Sequence, residues 1–391
     1  MIRRFYTYLT TLFLVLPLLH SCVYPYTPEE SELEERLPVF DGRIVIGDKA
    51  ELNYSVVQPL MNDSNDLTGY TRRMYPATFP WWVEDEDGKR YEPGENSAQV
   101  DLSDTDHGKQ YRLCAQWEGQ IYASEWMSSP EGTPVVDDVE FIVPEDGEIV
   151  QVSATLHDME NGSGYVALSF EEAWEFHAEY RMDYEIDPVS WIIMDKSPTT
   201  VQNYWCWNYT GRSGEYVLDL TRTDGKMKDY TFYIFSRRDT RCHRKYSILV
   251  HLRSISEQEY RFMKNLDWTT SLGSGSGSTG NLFTPNPGEI PGNIRCLSDE
   301  SRKAYGYVSI SNSSSKRFFL NTSGIQMVPM VFTKLFIPEA DPERYEALYN
   351  SNYRPVMDTF VDDVAGIGWG PLRCIDCVAA GGTLEKPDYW Q

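Results

Sequence analysis

From Leu37 onward the chain is a succession of short segments rich in β-branched and aromatic residues, each closed by a turn signal. Arg43-Ile-Val-Ile46, residues 51–57, Trp82-Val83 and residues 99–102 alternate apolar with polar positions, and Asp41-Gly42, Asp87-Gly88 and Glu118-Gly119 punctuate them. Residues 111–117 and 120–126 flank Glu118-Gly119 as the arms of a hairpin would. Alternation with a period of two at this spacing points to an antiparallel sandwich with one wet face per sheet. The pattern resumes at 148–156, 165–170, 216–220, 230–235, 246–252 and 305–310. The expected fold is therefore mostly β. It comprises two β-sandwich-like domains of immunoglobulin or fibronectin type, over 37–130 and 137–391, divided at the polar, proline-bearing stretch 127–136.

Two short helices interrupt the pattern. Ser256 stands at a cap position with Glu259 three residues on, as in a capping box, which predicts a helix over 256–268. Asp341 and Pro342 predict a second helix over 342–349. Glycine and serine alternate over 273–280, the composition of a flexible surface loop.

The N-terminus is built differently. Arg3 and Arg4 precede an apolar run from Leu9 to Leu19, which Pro17 interrupts and which falls short of the roughly 20 residues a spanning helix needs. This is the layout of a secretory signal peptide over 1–21. Leu19-His20-Ser21-Cys22 resembles the lipobox of bacterial lipoproteins, with Leu19 and Ser21 at the conforming positions and His20 departing from the usual small residue. The resemblance implies cleavage before Cys22 and lipidation of that cysteine. One acyl chain binds a membrane marginally and two or more hold firmly, at about 0.8 kcal/mol per buried methylene. Residues 22–36 carry prolines and a cluster of glutamates, so they read as a solvated acidic tether.

The formal net charge is −24, and −26 once Arg3 and Arg4 are removed. Such an acidic excess argues against nucleic acid as a partner, because most of the surface would repel the phosphate backbone. Besides Cys22 there are six cysteines: Cys114, Cys206, Cys242, Cys296, Cys374 and Cys377. An even number in an exported chain predicts disulfides, with the pairing left open. Cys374 and Cys377 also have zinc or redox spacing. No second CxxC or paired histidine supplies further ligands, so a structural disulfide is expected, local or to another cysteine.

Motifs for catalysis are missing from the sequence: there is no HExxH, no GxSxG, no GxxxxGK[ST] and no GxGxxG before a helix. His107, His157, His177, His243 and His251 are scattered. Glu171 and Glu172 near His177 form the one candidate acid–base cluster. No metal or cofactor is expected. The aromatic share of 14 % exceeds what a core alone requires and can furnish a binding surface. Adjacent Trp81 and Trp82 should point to opposite faces of a strand, leaving at least one exposed as a candidate aromatic contact. Trp205 and Trp207 share a face and are expected in the core.

Several segments, taken in order, resemble lipoproteins of Bacteroidota grouped as domain-of-unknown-function family 4249. They include the lipobox, residues 39–44, 83–88, 111–113 and 121–125, then Tyr246-Ser-Ile-Leu-Val250 with Ser254-Ile-Ser256, Gly292-Asn293-Ile294 and Gly306-Tyr307-Val308-Ser309. Cys374-Ile-Asp-Cys377, Gly381-Gly382-Thr383 and Trp390 complete the likeness. The resemblance supplies no catalytic residues. It implies a partner, a SusC-like TonB-dependent transporter, and a site on the outer membrane facing the exterior. The expected function is a non-catalytic accessory or ligand-binding role beside that transporter, the alternative being a structural or adhesive surface module.

Overall fold

A computed structural model describes residues 37–391 apart from 58–73, 96, 145–146, 160–161, 199, 201, 274–291, 323–324, 326–334, 339–341, 362–363 and 391. The signal peptide, Cys22, the tether, the glycine–serine stretch beyond Gly273 and the cap residue Asp341 lie outside the described residues. Apart from Leu37, Val56 and Val57, every described residue belongs to one compact unit. The fold is mostly β, with several sheets and two short helices.

The hairpin expected at Glu118-Gly119 forms as read. Strands Gln110–Trp117 and Gln120–Ser124 meet there, and both turn residues have positive φ (48° and 77°), the conformation of a turn whose twist matches the strands it joins. Asp41-Gly42, by contrast, is no turn. It lies inside strand Leu37–Val45, where a side chain at Gly42 would meet Leu113 and Val308 at 3.0 Å.

Two sheets form the first layered pair. In one, strand Leu37–Val45 lies between Lys49–Val57 and Tyr305–Ser311, and Tyr75–Pro76 and Gln99–Asp101 also pair with Lys49–Val57. In the other the order is Ile294–Cys296, Gln120–Ser124, Gln110–Trp117, Trp81–Asp85 and Arg90–Tyr91, with Met127–Ser128 beside Gln110–Trp117. Phe40 and Val308 from the first sheet face Leu113, Tyr122 and Ile294 from the second, and the Phe40 and Tyr122 rings lie 5.4 Å apart. Segments on both sides of residues 127–136 thus build these sheets. Tyr305–Ser311 runs parallel to Leu37–Val45, from Val39 opposite Tyr305 to Val45 opposite Ser311.

That long-range pairing explains the Gly-Asn-Ile and Gly-Tyr-Val-Ser motifs. Buried Asn293 donates to the Val308 carbonyl (2.7 Å) and accepts from the Val308 N–H (2.8 Å), acting as a piece of strand. Gly306 has φ of 101°, and a Cβ there would sit 1.8 Å from the Phe40 carbonyl oxygen. One on Gly292 would sit equally close to the Gly306 oxygen. Only glycine lets the three backbones approach.

The second pair packs Val135–Ile142, Ile149–His157 and Lys226–Ser236 against Trp205–Tyr209, Tyr165–His177, Lys245–Ser254 and Ser313–Asn321, with Tyr216–Asp219 also on Tyr165–His177. Even-numbered residues of the central strand (Val166, Leu168, Phe170, Trp174 and Phe176) fill the shared core with Tyr246, Ile248, Val250 and Leu252. Glu172 also faces inward, held by Arg241 (2.8 and 3.1 Å) and by the Tyr246 hydroxyl (2.7 Å). A third group of strands, Leu335–Pro338, Val364–Pro371 and Tyr353–Val361, packs Ile337 and Trp369 against Tyr345 of helix α2 (Pro342–Asn350).

Helix α1 (Glu257–Gly273) bridges the two layered pairs. Its Tyr260 and Met263 pack on Ala167, Val217 and Ile255, while Phe262 stacks on Tyr307 at 4.7 Å. Ser256 caps it as expected, accepting from the Glu259 N–H at 3.0 Å. The Glu259 side chain, however, turns to Arg253 at 2.6 Å, and both are buried. Arg253 also forks onto Glu215 (2.9 and 2.6 Å), and Glu215 meets Arg43 of the first pair at 3.0 Å.

Candidate binding surface

Strand Trp205–Tyr209 lies at one edge of its sheet and decides which aromatics face solvent. Alternation allows either Cys206 or the pair Trp205 and Trp207 to face inward. Cys206 goes in, fully buried, and forms a disulfide with Cys377 across 171 residues of sequence. Trp205 is consequently turned outward, 38 % exposed, with Tyr209 on the same face at 62 %. The expectation of a core pair of tryptophans fails for this reason. A disulfide needs its cysteine on the side of its partner, and the neighbouring side chains take the other face.

Around Trp205 the rings and cations form a continuous ridge. Arg181 lies over the Tyr204 ring at 5.0 Å, and Tyr204 stacks on His177 with centroids 5.2 Å apart and planes at 19°. Trp205 stands edge-on to both, 5.1 Å from His177 and 5.3 Å from Tyr204. Arg244 covers one face of Trp205 at 4.8 Å and donates to Glu175 at 2.8 Å. Beneath the ridge, His243 lies 4.8 Å from His177. Burial, reinforced by the neighbouring His177, pushes the His243 pKa down to about 4, so this imidazole is neutral at physiological pH.

The segment after the disulfide straps this face. Thr383 and Trp207 exchange backbone hydrogen bonds of 2.8 Å each. Further along, Trp390 is buried edge-on against Phe319 at 5.7 Å, Lys245 lies over Phe319 at 4.7 Å, and Arg317 covers Tyr389 at 3.6 Å. The edge strand is therefore fixed on its inner face by a covalent bond and along its backbone by the strap. Rings held this way lose little freedom when something stacks on them.

Other residues singled out in the sequence lie elsewhere. Trp81 and Trp82 are 4 % and 9 % exposed and offer no aromatic contact surface. Their strand runs between two others with both faces covered, and Arg90 closes over the Trp82 ring at 4.6 Å. Glu171 and Glu172 point to opposite faces. Glu171 meets His251 at 3.2 Å while Glu172 is in the core, so neither joins His177 in an acid–base cluster. Of the six cysteines considered for disulfides, only Cys206 and Cys377 pair. Cys114, Cys242, Cys296 and Cys374 are buried thiols, and Cys374 makes no local bridge to Cys377. Burial pushes the Cys114 and Cys242 thiols up to about 12 and Cys374 to about 11. Among the described residues no three His, Cys, Asp or Glu side chains gather to hold a metal, and no helix is long and apolar enough to cross a membrane.

Sequence reasoning missed Arg181, Tyr204 and Arg244 altogether. The signal was the Trp-Cys-Trp run itself, since a paired cysteine facing inward turns its neighbours to the other face, where Trp205 is exposed and Trp207 half-buried. Comparison with curated proteins finds no match. Residues 23–317 match the model of a family described as Domain of unknown function (DUF4249), and the chain belongs to that family.

Proposed function

We propose that this chain is an outer-membrane lipoprotein, tethered through lipid on Cys22, that faces the cell exterior. There it acts as a non-catalytic accessory or ligand-binding partner of a TonB-dependent nutrient transporter. The observation that carries the binding role is the Arg181–Tyr204–His177–Trp205–Arg244 ridge. Rigid aromatic side chains flanked by arginines are the composition that dominates recognition surfaces, because they bury large areas at little conformational cost. The anchor rests on Leu19-His20-Ser21-Cys22 behind an apolar run, and the acidic residues 29–36 suit a solvated arm between lipid and fold. The transporter in this reading rests on the SusC-like context of the lipoproteins that the chain resembles.

The test is affinity purification from detergent-solubilised outer membranes of the native cell. A TonB-dependent channel should co-purify in near-stoichiometric amount, and Cys22→Ala should release the protein from the membrane fraction. Recovery of the wild-type chain from the soluble fraction, or from membranes with no channel protein, would overturn the reading.

A further inference from the structure

We propose that the ridge centred on Trp205 is a subsite for an acidic oligosaccharide, a sugar chain bearing carboxylate or sulfate groups. The ring arrangement supplies the stacking half of such a site. Trp205 stands edge-on to Tyr204 (84°) and to His177 (77°), so the three rings make a corner rather than a flat patch. Tyr209 continues the outward face four residues along the same strand, roughly 13 Å away at about 3.3 Å per residue. A pyranose presents an apolar C–H face to an aromatic ring and a rim of hydroxyls to polar neighbours. On this face Arg181 and Arg244 are the polar groups beside the rings, and they can donate to that rim.

Charge selects the acidic class. The chain carries −24 overall, so an anionic ligand is repelled from most of its surface. At the ridge and its strap cations gather, Arg181, Arg244 and Lys245, with Glu175 in contact with Arg244. Arg244 keeps 57 % of its side chain exposed although it stacks on Trp205 and pairs with Glu175. A guanidinium placed beside a sugar platform matches the planar geometry of a carboxylate and the oxygens of a sulfate. A neutral glycan can accept hydrogen bonds from these cations but gains no charge attraction.

The inference deepens the ligand-binding half of the proposed function and is independent of the transporter, so each can fail while the other stands. Its test is a glycan array carrying uronate-bearing, sulfated and neutral oligosaccharides, probed with the purified full chain. Binding should be confined to acidic glycans, weaken with salt, and disappear when uronate carboxyls are methyl-esterified or sulfates removed. Trp205→Ala should weaken it about tenfold and Trp205→Phe should restore most of it. Arg181→Gln with Arg244→Gln should flatten the salt dependence, with melting temperatures recorded to show that each variant is folded. The uronate and sulfate arms identify the source of the charge. Absence of signal on every acidic glycan, equal binding of neutral chains, or undiminished binding by folded Trp205→Ala would each overturn the proposal.

Discussion

Arg253 and Glu259 meet at 2.6 Å with both side chains buried, one on the last turn-ward end of strand Lys245–Ser254 and the other in the first turn of helix α1. The pair locks the helix to the sheet, and through Glu215 to Arg43 it joins the two layered sheet pairs. Burial raises the Glu259 pKa, while Arg253 is held above its ordinary range despite its own burial because two carboxylates face it. Glu215, which burial alone would push up, is brought down to about 2 by Arg253 and Arg43.

Removing one member leaves an uncompensated charge in the interior. Arg253→Met is expected to cost about 3–5 kcal/mol. Arg253→Met combined with Glu259→Leu and Glu215→Gln should recover much of that loss, since the desolvation penalty disappears with the charges. Urea unfolding of both variants checks the difference, and equal losses would show that the cluster contributes through packing alone.

Gly306→Ala should be far more damaging than Gly47→Ala. Both glycines have positive φ, yet a Cβ at Gly47 meets nothing within 4 Å, whereas at Gly306 it lies 1.8 Å from the Phe40 oxygen. The expected costs are about 1 kcal/mol at Gly47 and at least about 3 kcal/mol at Gly306. Thermal melts of the two variants read this directly, and similar shifts would refute the proposed close approach.

Breaking the staple should loosen the edge strand. The Cys206–Cys377 bond closes a loop of sequence separation 171, so Cys377→Ser is expected to cost on the order of 2–5 kcal/mol. Cys114, Cys242, Cys296 and Cys374 should resist alkylation in the folded protein and react on denaturation, because all four are buried and burial makes Cys114, Cys242 and Cys374 hard to ionise. Mass spectrometry after alkylation with and without denaturant counts them.

Acid should weaken the fold partly through His243. Its folded pKa of about 4 lies below the ordinary 6.5, so the unfolded chain takes up the proton first as pH falls. The stability contributed by keeping it neutral is complete above about pH 6.5 and lost progressively down to about pH 4. The full span is on the order of 3 kcal/mol. His243→Phe should remove this component, giving a shallower fall in urea midpoint between pH 7 and pH 4.5. An identical slope in both proteins would reject it.

Much of this architecture was legible in residue order. Turn chemistry placed the Glu118-Gly119 hairpin, because the turn needs positive φ and Gly119 adopts it without strain. Ser256 marked the start of helix α1, since a hydroxyl at the cap satisfies a local N–H. Local rules misjudged Asp41-Gly42, whose glycine serves close packing against Leu113 and Val308 rather than a turn. They also assigned Glu259 to the capping box, whereas buried Arg253, on the strand before the helix and outside any helical spacing rule, claims its side chain.

Residue order by itself determined that this is a mostly β chain of successive strands with two short helices, because side-chain alternation and turn propensity act over a few residues. Only the tertiary structure decided which tryptophans face solvent. Trp81 and Trp82 are buried because other strands and Arg90 close over both faces of theirs. Trp205 is exposed because Cys377, far along the chain, draws Cys206 inward and turns the strand's other face out. Exposure is set by what packs on a face, and those partners come from segments that alternation alone does not bring together.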